Sequence, residues 1–337
     1  MFQKYLVTGA TGFLGRAVLN ELSSKNTEVY ALVMADDPMV SELPKRAHIV
    51  YGDVCDESSL SRFFSIADQK TCVIHCAGIV SVASNPGDWL YQVNVGGTYN
   101  VLCQCELCHV GKLVYVSSVH AIPEKPKGME ITEEAVFSHR LVRGHYAKSK
   151  AIATSLVFSA AENDLNASVV FPSGIIGPGD KGKGSMSNML LSFLSGKLPL
   201  AVKGGYDFVD VRDVAFGVIA CAEHGLSGQG YILSGQYASV RDILEVAKET
   251  VNVKRAVSYL PIGFAKAVAP IYEKWSIRKQ RPLYFTPYAV DVLGSNGRFS
   301  RKKAAASFGY APRSLQNSIR DMVMWLVNSQ NLRVNDT

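Results

Sequence analysis

Long apolar runs, internal repeats and strong charge are all missing from this chain of 337 residues. Without an apolar run of bilayer length, we expect no integral membrane segment. A glycine-rich turn occupies the beginning of the sequence, where a secretory leader would need a charged and then an apolar stretch. The net charge of +6 is small and scattered, which argues against a nucleic-acid partner. We therefore expect a soluble cytoplasmic protein.

The cysteine pattern argues against both a disulfide framework and a metal site. The seven cysteines are an odd number, and the chain has no secretory features. Cys103, Cys105, Cys108 and His109 are dense enough to suggest metal ligands, but they lie inside a helical pattern. On one helix these side chains diverge around the axis, so they cannot converge on one ion. We expect reduced, packed thiols and no metal.

Short apolar runs alternate with helical patterns through the first two-thirds of the chain. This alternation predicts an α/β fold of the Rossmann type, a doubly wound parallel sheet with helices on both faces and a ligand crevice at the carboxyl ends of the strands. The predicted strands are 4–8, 28–33, 47–51, 71–75, 112–117 and 167–171, and the predicted helices are 12–24, 57–67, 89–109 and 143–163.

After Pro172 the pattern changes, and we expect a smaller α/β substrate lobe that is interleaved with the sheet domain. The domains are predicted at 1–172 and 173–330, with a soft boundary. A loop containing Lys181, Gly182 and Lys183 is expected to be mobile. The predicted elements after it are helices near 185–195, up to 224, from the cap Ser239 onward and over 315–326, and a strand at 231–233.

An apolar stretch from Ile262 to Tyr272 precedes the basic residues Lys274, Arg278, Lys279 and Arg281. Pro270 interrupts its pattern. We favour a lid helix over a substrate pocket, and contact with a membrane surface is the alternative.

The glycine-rich turn near the start predicts a diphosphate site. Tyr5 to Val7 form an apolar run, Gly9, Gly12 and Gly15 follow at three-residue intervals, and Phe13 and Leu14 begin an amphipathic stretch. A strand, a tight turn and a helix in this order point backbone N–H groups and a positive helix end at a phosphate.

Tyr146 and Lys150 form the strongest catalytic signal. A spacing of four residues places both side chains on one face of a helix. A free phenol has a pKa of about 10 and is a poor base at neutral pH, but a nearby positive charge lowers that pKa.

The order of these motifs resembles the short-chain dehydrogenase/reductase superfamily, in its extended branch. The resemblance runs from about residue 3 to about residue 330, and it is carried by Gly9/Gly12/Gly15, Asp53-Val54, Ala77-Gly78, Asn94, Ser117-Ser118, Tyr146-x-x-x-Lys150 and Val209 to Ala215. Val119-His120-Ala121 after the serine pair lacks the acidic pair of the sugar dehydratases. The segment is more similar to the dihydroflavonol reductase and 3β-hydroxysteroid dehydrogenase group.

The resemblance implies roles for individual residues. Tyr146 moves a proton, Ser118 polarises the reacting oxygen, Lys150 tunes Tyr146, and Asn94 supports the active-site helix or takes part in acid–base chemistry. The residues implied in cofactor binding are Gly9, Thr11, Gly12, Phe13, Leu14, Gly15, Asp53, Val54, Cys76, Ala77, Gly78, Ser117, Tyr146, Lys150, Pro172 and Ile175. Those expected near the substrate are Ser81, Val82, His120 and Tyr206.

The leading hypothesis is an NAD(P)-dependent oxidoreductase that reduces a ketone or aldehyde, or oxidises a secondary alcohol. A nucleotide-sugar epimerase or dehydratase with tightly bound NAD, and a dinucleotide sensor without turnover, are the alternatives. The choice between NAD and NADP stays open: Val33 and Met34 end the second strand without a charge, Asp36 and Asp37 favour NAD, and Arg16 favours NADP. The resemblance also implies a homodimer, formed by the helices at 89–109 and 143–163.

Overall fold

A computed structural model describes residues 2–133, 136–180, 184–280, 283 and 285–332. Within these ranges, seven parallel strands form a central sheet in the order β10-β6-β5-β4-β1-β2-β3. Its strands are β1 (Lys4–Thr8), β2 (Glu28–Val33), β3 (His48–Tyr51), β4 (Thr71–His75), β5 (Lys112–Val116), β6 (Ala167–Pro172) and β10 (Gln229–Leu233). The predicted Rossmann-type parallel sheet is confirmed, and each predicted strand is present within one or two residues of its predicted bounds.

Helices follow most of these strands. Those of the first 172 residues are α1 (Phe13–Ser23), α2 (Glu57–Phe64), α3 (Trp89–Tyr91), α4 (Thr98–Leu107) and α5 (His145–Glu162), with short 3₁₀ turns at Pro38–Glu42 and Val119–Ala121. The prediction of one regular helix over 89–109 is wrong. A π-helical segment, Gln92–Gly97, separates α3 from α4, and local deviations of this kind often mark functional sites.

The rest of the chain adds seven helices within the described ranges and two small sheets. The helices are α6 (Ser185–Leu194), α7 (Val211–His224), α8 (Val240–Val251), α9 (Ile262–Arg278), α10 (Pro287–Gly294), α11 (Lys302–Phe308) and α12 (Leu315–Ser329). One small sheet contains β7 (Gly174–Ile176), β9 (Gly205–Asp210) and β11 (Gln236–Ser239), and the other pairs β8 (Leu200–Lys203) with β12 (Ser258–Pro261). The expected loop at Lys181, Gly182 and Lys183 lies outside the described residues.

Two hydrophobic layers cover the central sheet. On one face, Leu60, Phe63 and Val157 from α2 and α5 pack in a large cluster that continues into the last third of the chain. On the other face, Val18 of α1 and Val218 of α7 pack together. Each strand contributes side chains to both layers, because successive side chains of a strand point to opposite faces. α7 and β10 come from beyond residue 172, so the two predicted segments are interleaved, as expected.

Local sequence signals explain several helix ends. Asp56 caps α2 through the backbone N–H of Ser58, and Ser239 and Asp242 form a capping box at the start of α8. The expected helix is present as α9, and it continues through Pro270 to Arg278 although Pro270 interrupts the apolar pattern. Pro270 lies on the exposed side of α9, so the carbonyl that loses its N–H partner is open to water.

The last third of the chain contacts the start of α5 through Tyr288 of α10. Gly144, which precedes α5, has a φ of +84°, a conformation that other L-residues rarely adopt. A Cβ at Gly144 would overlap the Tyr288 ring. Gly144 therefore meets two requirements at once, a left-handed backbone and close contact with an aromatic ring.

We expect Gly144→Ala to lower the free energy of unfolding by more than the roughly 1–3 kcal/mol that a strained backbone alone costs, because it adds a clash with Tyr288. Urea unfolding measures the change. Gly128→Ala is the matched control, since Gly128 has a φ of +90° with open space around its Cβ position. Equal losses in the two variants would contradict the close contact with Tyr288.

Candidate active site

The glycine-rich turn lies directly against the end of β4. Gly9 has a φ of +64°, and a Cβ there would come within 2.6 Å of the Ala77 backbone nitrogen. A Cβ at Gly15 would overlap the carbonyl oxygen of Gly9. Gly12 is the N-cap of α1 and offers no side chain to the helix, so the first N–H groups of α1 stay available to a ligand.

A buried histidine links the ends of β1 and β4. His75 Nδ1 lies 2.6 Å from Thr8 Oγ1, and His75 Nε2 lies 3.0 Å from Thr98 Oγ1. Because Thr98 donates its own proton to the Asn94 carbonyl oxygen, Nε2 of His75 must be the donor to Thr98 and Nδ1 the acceptor from Thr8. Burial lowers the pKa of His75 to about 3, so the ring is neutral and serves packing.

Asn94 lies in the π-helical segment and connects the loop after β4 to α5. Its Oδ1 accepts from the Ile79 backbone N–H at 2.7 Å, and its Nδ2 donates to the Ile79 carbonyl oxygen and to Ser149 Oγ, both at 3.0 Å. These partners satisfy the amide almost completely. The resemblance implied two possible roles for Asn94, support of the helix or acid–base chemistry. These contacts match the first of them.

Lys150 is buried beside the end of β4. Its Nζ donates to the Val116 carbonyl oxygen at 2.8 Å and to the Tyr115 hydroxyl at 3.3 Å, and it lies 4.9 Å from the centre of the Tyr115 ring. A Cβ at Gly78 would come within 3.2 Å of Nζ, so Gly78 leaves room for the ammonium. Burial lowers the pKa of Lys150 to about 8, which keeps the group mostly charged at neutral pH.

Tyr146 lies one turn before Lys150 on α5 and is also buried. Burial raises the pKa of its phenol to about 12, and a hydrogen bond with Ser118 acts in the opposite direction. Ser118 caps the 3₁₀ turn that follows β5. The structure thus brings Tyr146 together with Ser118, as predicted.

Ser117 has a different surrounding from Ser118. Its Oγ lies 2.6 Å from Thr154 Oγ1 of α5, and both residues are buried. The side chain therefore joins the end of β5 to α5. The sequence placed Ser117 among the cofactor-binding residues, and the hydroxyl is already used within the protein.

An aromatic cluster surrounds His120, two residues after Ser118. The His120 ring is stacked on Tyr206 at an interplanar angle of 7°, lies edge-on to Tyr146, and has Nδ1 at 3.2 Å from the Tyr288 hydroxyl. Burial lowers the pKa of His120 to about 4, so it is neutral. His120 and Tyr206 were expected near the substrate. Tyr288 was not among the expected site residues. It lies 142 residues after Tyr146 in the chain, and no sequence pattern shows that two residues so far apart meet in space.

The other residues expected to bind cofactor lie at strand ends along the same edge of the sheet. Asp53 is half-buried and its Oδ1 accepts from the Cys55 backbone N–H at 2.9 Å, while Val54 is buried against Gly97. Cys76 and Ala77 follow β4, Pro172 ends β6, and Ile175 lies in β7.

Charged groups near the glycine-rich turn are already engaged. Thr11 Oγ1 donates to Asp37 Oδ2 at 2.5 Å, and Asp37 also accepts from the Met39 N–H. The Arg16 guanidinium donates to the backbone oxygens of Thr11 and Gly179.

Arg212, at the start of α7, forms ion pairs with Asp210 and Asp321. These pairs support a structural role for Arg212 over contact with an anionic substrate.

The arrangement fits a dinucleotide. Gly9 and Gly15 let the turn pack closely against Ala77 and against itself, and the start of α1 has no side-chain cap, so its first N–H groups are available to a phosphate. The buried Lys150 ammonium lies beside Gly78, and Tyr146 is one turn before it on α5. The glycine-rich turn and these two side chains therefore lie at the same edge of the sheet.

The profile of the NAD dependent epimerase/dehydratase family matches residues 5–234. Two similar proteins match nearly end to end: "Sterol demethylase protein B" of Methylococcus capsulatus, 25% identical over 322 residues (95% of this chain and 97% of that protein), and "Putative dihydroflavonol 4-reductase" of Synechocystis, 27% identical over 336 residues (96% and 94%). The crystal structure of gox2253 has a TM-score of 0.84 at 28% identity and covers 98% of this chain and all of its own.

These similarities confirm the predicted resemblance to extended short-chain dehydrogenases/reductases, including its dihydroflavonol reductase-like group. The chain is an NAD(P)-dependent enzyme that belongs to the NAD dependent epimerase/dehydratase family.

Proposed function

We propose that this enzyme reduces a ketone or aldehyde, or oxidises the corresponding secondary alcohol, by hydride transfer. The observation that carries the proposal is the buried group of Tyr146, Ser118 and Lys150 at the carboxyl edge of the sheet, the same edge as the glycine-rich turn. The names of the Synechocystis and Methylococcus relatives point to ring-bearing alcohols and ketones and support this substrate class.

Each of the three side chains has a separate task. A phenol with a pKa raised to about 12 keeps its proton at neutral pH, so Tyr146 can donate it to the oxygen of a carbonyl that becomes an alkoxide. Ser118 can donate a second hydrogen bond to the same oxygen and stabilise its developing charge. The Lys150 ammonium favours the phenolate that is left on Tyr146. The bound nicotinamide supplies or accepts the hydride.

We expect Tyr146→Phe to lower kcat by about 100- to 10,000-fold, because it removes the proton donor and leaves the ring. The assay follows nicotinamide absorbance with NADH and NADPH across a panel of aliphatic, aromatic and steroid ketones. The dissociation constant of the cofactor should stay unchanged. Tyr237→Phe, at an exposed tyrosine of β11, is the control.

Turnover near the wild-type rate in Tyr146→Phe would remove the proposed proton donor. Wild-type protein that carries co-purified NAD, binds a nucleotide diphosphate sugar and shows no net oxidation or reduction would favour the epimerase alternative.

We further propose that the enzyme prefers NAD to NADP. Asp37 is held beside the glycine-rich turn by Thr11, and a carboxylate there accepts ribose hydroxyls and repels a 2′-phosphate. Val33 and Met34 at the end of β2 offer no cation, and Arg16 already binds two backbone oxygens.

Asp37→Asn should reduce the NADH-to-NADPH ratio of kcat/KM by about tenfold, since one repulsive charge near a phosphate is worth about 1 kcal/mol or more. Steady-state kinetics with both cofactors give the ratio, and Asp36→Asn at the exposed neighbour is the control. A wild-type preference for NADPH, or an unchanged ratio in Asp37→Asn, would refute this preference.

We also propose a homodimer in which α4 and α5 of two copies form a four-helix bundle. Tyr99 and Leu107 on α4 are 56% and 71% exposed, and Ile152 and Leu156 on α5 are half-buried. Apolar side chains that are exposed or half-buried on both helices are what a four-helix interface requires.

Light scattering should give twice the chain mass of 36.6 kDa for the wild type and a single chain for Leu107→Glu, because a buried carboxylate would disrupt the bundle. Leu226→Glu changes a similarly exposed leucine elsewhere and should stay dimeric. A monomeric wild type would exclude the dimer.

The proposed organisation keeps 1–172 as the dinucleotide-binding domain and 173–330 as mainly substrate-binding, with α7 and β10 returning to the first. A cytoplasmic location is proposed because all seven thiols are free. No helix among the described residues has the length and apolar character needed to cross a bilayer.

A further inference from the structure

Helix α9 exposes several large apolar side chains on one face. Phe264, Ile271 and Trp275 are 59%, 70% and 41% exposed. Spacings of seven and four residues place them along one line of the helix. The opposite side is the buried stripe, formed by Ala265, Ala269, Glu273 and Ser276. The exposed line therefore faces away from the buried stripe.

The inner side of α9 is well anchored. Ala265 and Ala269 pack with Val202 and Val290, and the Glu273 carboxylate accepts from Ser84 N–H at 2.7 Å and from Ser84 Oγ at 2.6 Å. These contacts place α9 over the loop that follows β4. They also fix the orientation of the exposed line.

Basic residues flank the exposed line. Lys274, Arg278 and Lys279 are exposed beside it. Glu273 is the acidic residue of α9, and it is turned inward onto Ser84. Lys266 is paired with Asp291 of α10 at 2.5 Å. In the part of the chain that the structure describes, no carboxylate pairs with Lys274, Arg278 or Lys279, so the outer surface of α9 combines apolar side chains with positive charge.

We propose that α9 docks this enzyme on the surface of an anionic phospholipid membrane. Phe264, Ile271 and Trp275 enter the interface, and Lys274, Arg278 and Lys279 contact the lipid phosphates. Bulky apolar residues flanked by cations on a helix with a firmly held inner face are what binding in the interface plane requires.

A second copy of the chain fits this surface less well. Symmetric pairing places the same patch on both partners, so the cations of one copy would meet those of the other without an acidic counterpart. Lipid phosphates supply that counterpart at every cation. Docking through α9 would also bring the loop at Val82 to Ser84 close to the bilayer, where apolar substrates collect.

Flotation of the full-length protein with vesicles tests the proposal without any substrate. The protein should float with vesicles of phosphatidylcholine mixed with phosphatidylserine, and much less with phosphatidylcholine alone. High salt should weaken the binding, because it screens exposed charges. The emission of Trp275 should shift to the blue on binding, and Trp275→Phe should lose that shift.

Two double variants separate the contributions. Lys274→Ser/Arg278→Ser should weaken binding to the mixed vesicles by about 30-fold, since each cation near an anionic surface contributes about a fivefold change. Phe264→Ser/Ile271→Ser should weaken it by at least about tenfold. The matched controls are Lys70→Ser/Lys197→Ser and Leu226→Ser, which remove exposed residues of the same kinds elsewhere and should bind as wild type.

A variant counts as folded if it unfolds thermally at the same temperature as the wild type. Any variant that fails this check is replaced by the milder double variant Ile271→Ala/Lys274→Gln. Wild type that fails to float with the mixed vesicles would overturn the proposal. So would equal losses in the α9 variants and their controls. A fall in mass of the α9 variants by light scattering, without lipid, would show that a second copy covers this face.

Discussion

The buried ammonium of Lys150 is the group around which the site is built. A cation in the interior is costly unless hydrogen bonds replace its water. The Val116 carbonyl at the end of β5 and the Tyr115 phenol supply those bonds, and the Tyr115 ring adds a cation–π contact. Gly78 leaves the space that Nζ occupies. Burial lowers the pKa of Lys150 to about 8, so the ammonium is still mostly charged at neutral pH.

Several neighbouring contacts hold this arrangement in place. Asn94 joins the loop after β4 to Ser149 on α5, and Ser117 joins β5 to Thr154 one turn beyond Lys150. On the other side, Tyr288 contacts both His120 and Gly144. The last third of the chain therefore contacts the 3₁₀ turn that Ser118 caps and the residue before α5. Packing of the last third of the chain and the geometry around Tyr146 depend on the same side chain.

Much of this could be predicted from the sequence, for identifiable physical reasons. Strand and helix periods are local, so the six strands of the first 172 residues and the capping box of Ser239 were found by pattern alone. The Tyr146 and Lys150 spacing also works within one helix. The π-helical segment at Asn94 was missed, because an extra residue in one turn does not alter the apolar pattern enough to be seen. The contacts of Tyr288 and Tyr115 depend on chain segments that meet only after folding, and no spacing rule reports them.

Tyr146 and Lys150 should face the redox ring of a bound dinucleotide, and a crystal structure of the enzyme with NAD is the decisive test. Lys150 Nζ should lie within hydrogen-bond distance of a ribose hydroxyl on the nicotinamide side, about 2.6–3.2 Å. The Tyr146 hydroxyl should lie beside the ring, with an open position between them for a carbonyl oxygen. A nicotinamide bound away from α5, with Tyr146 and Lys150 still enclosed by protein atoms alone, would contradict this arrangement.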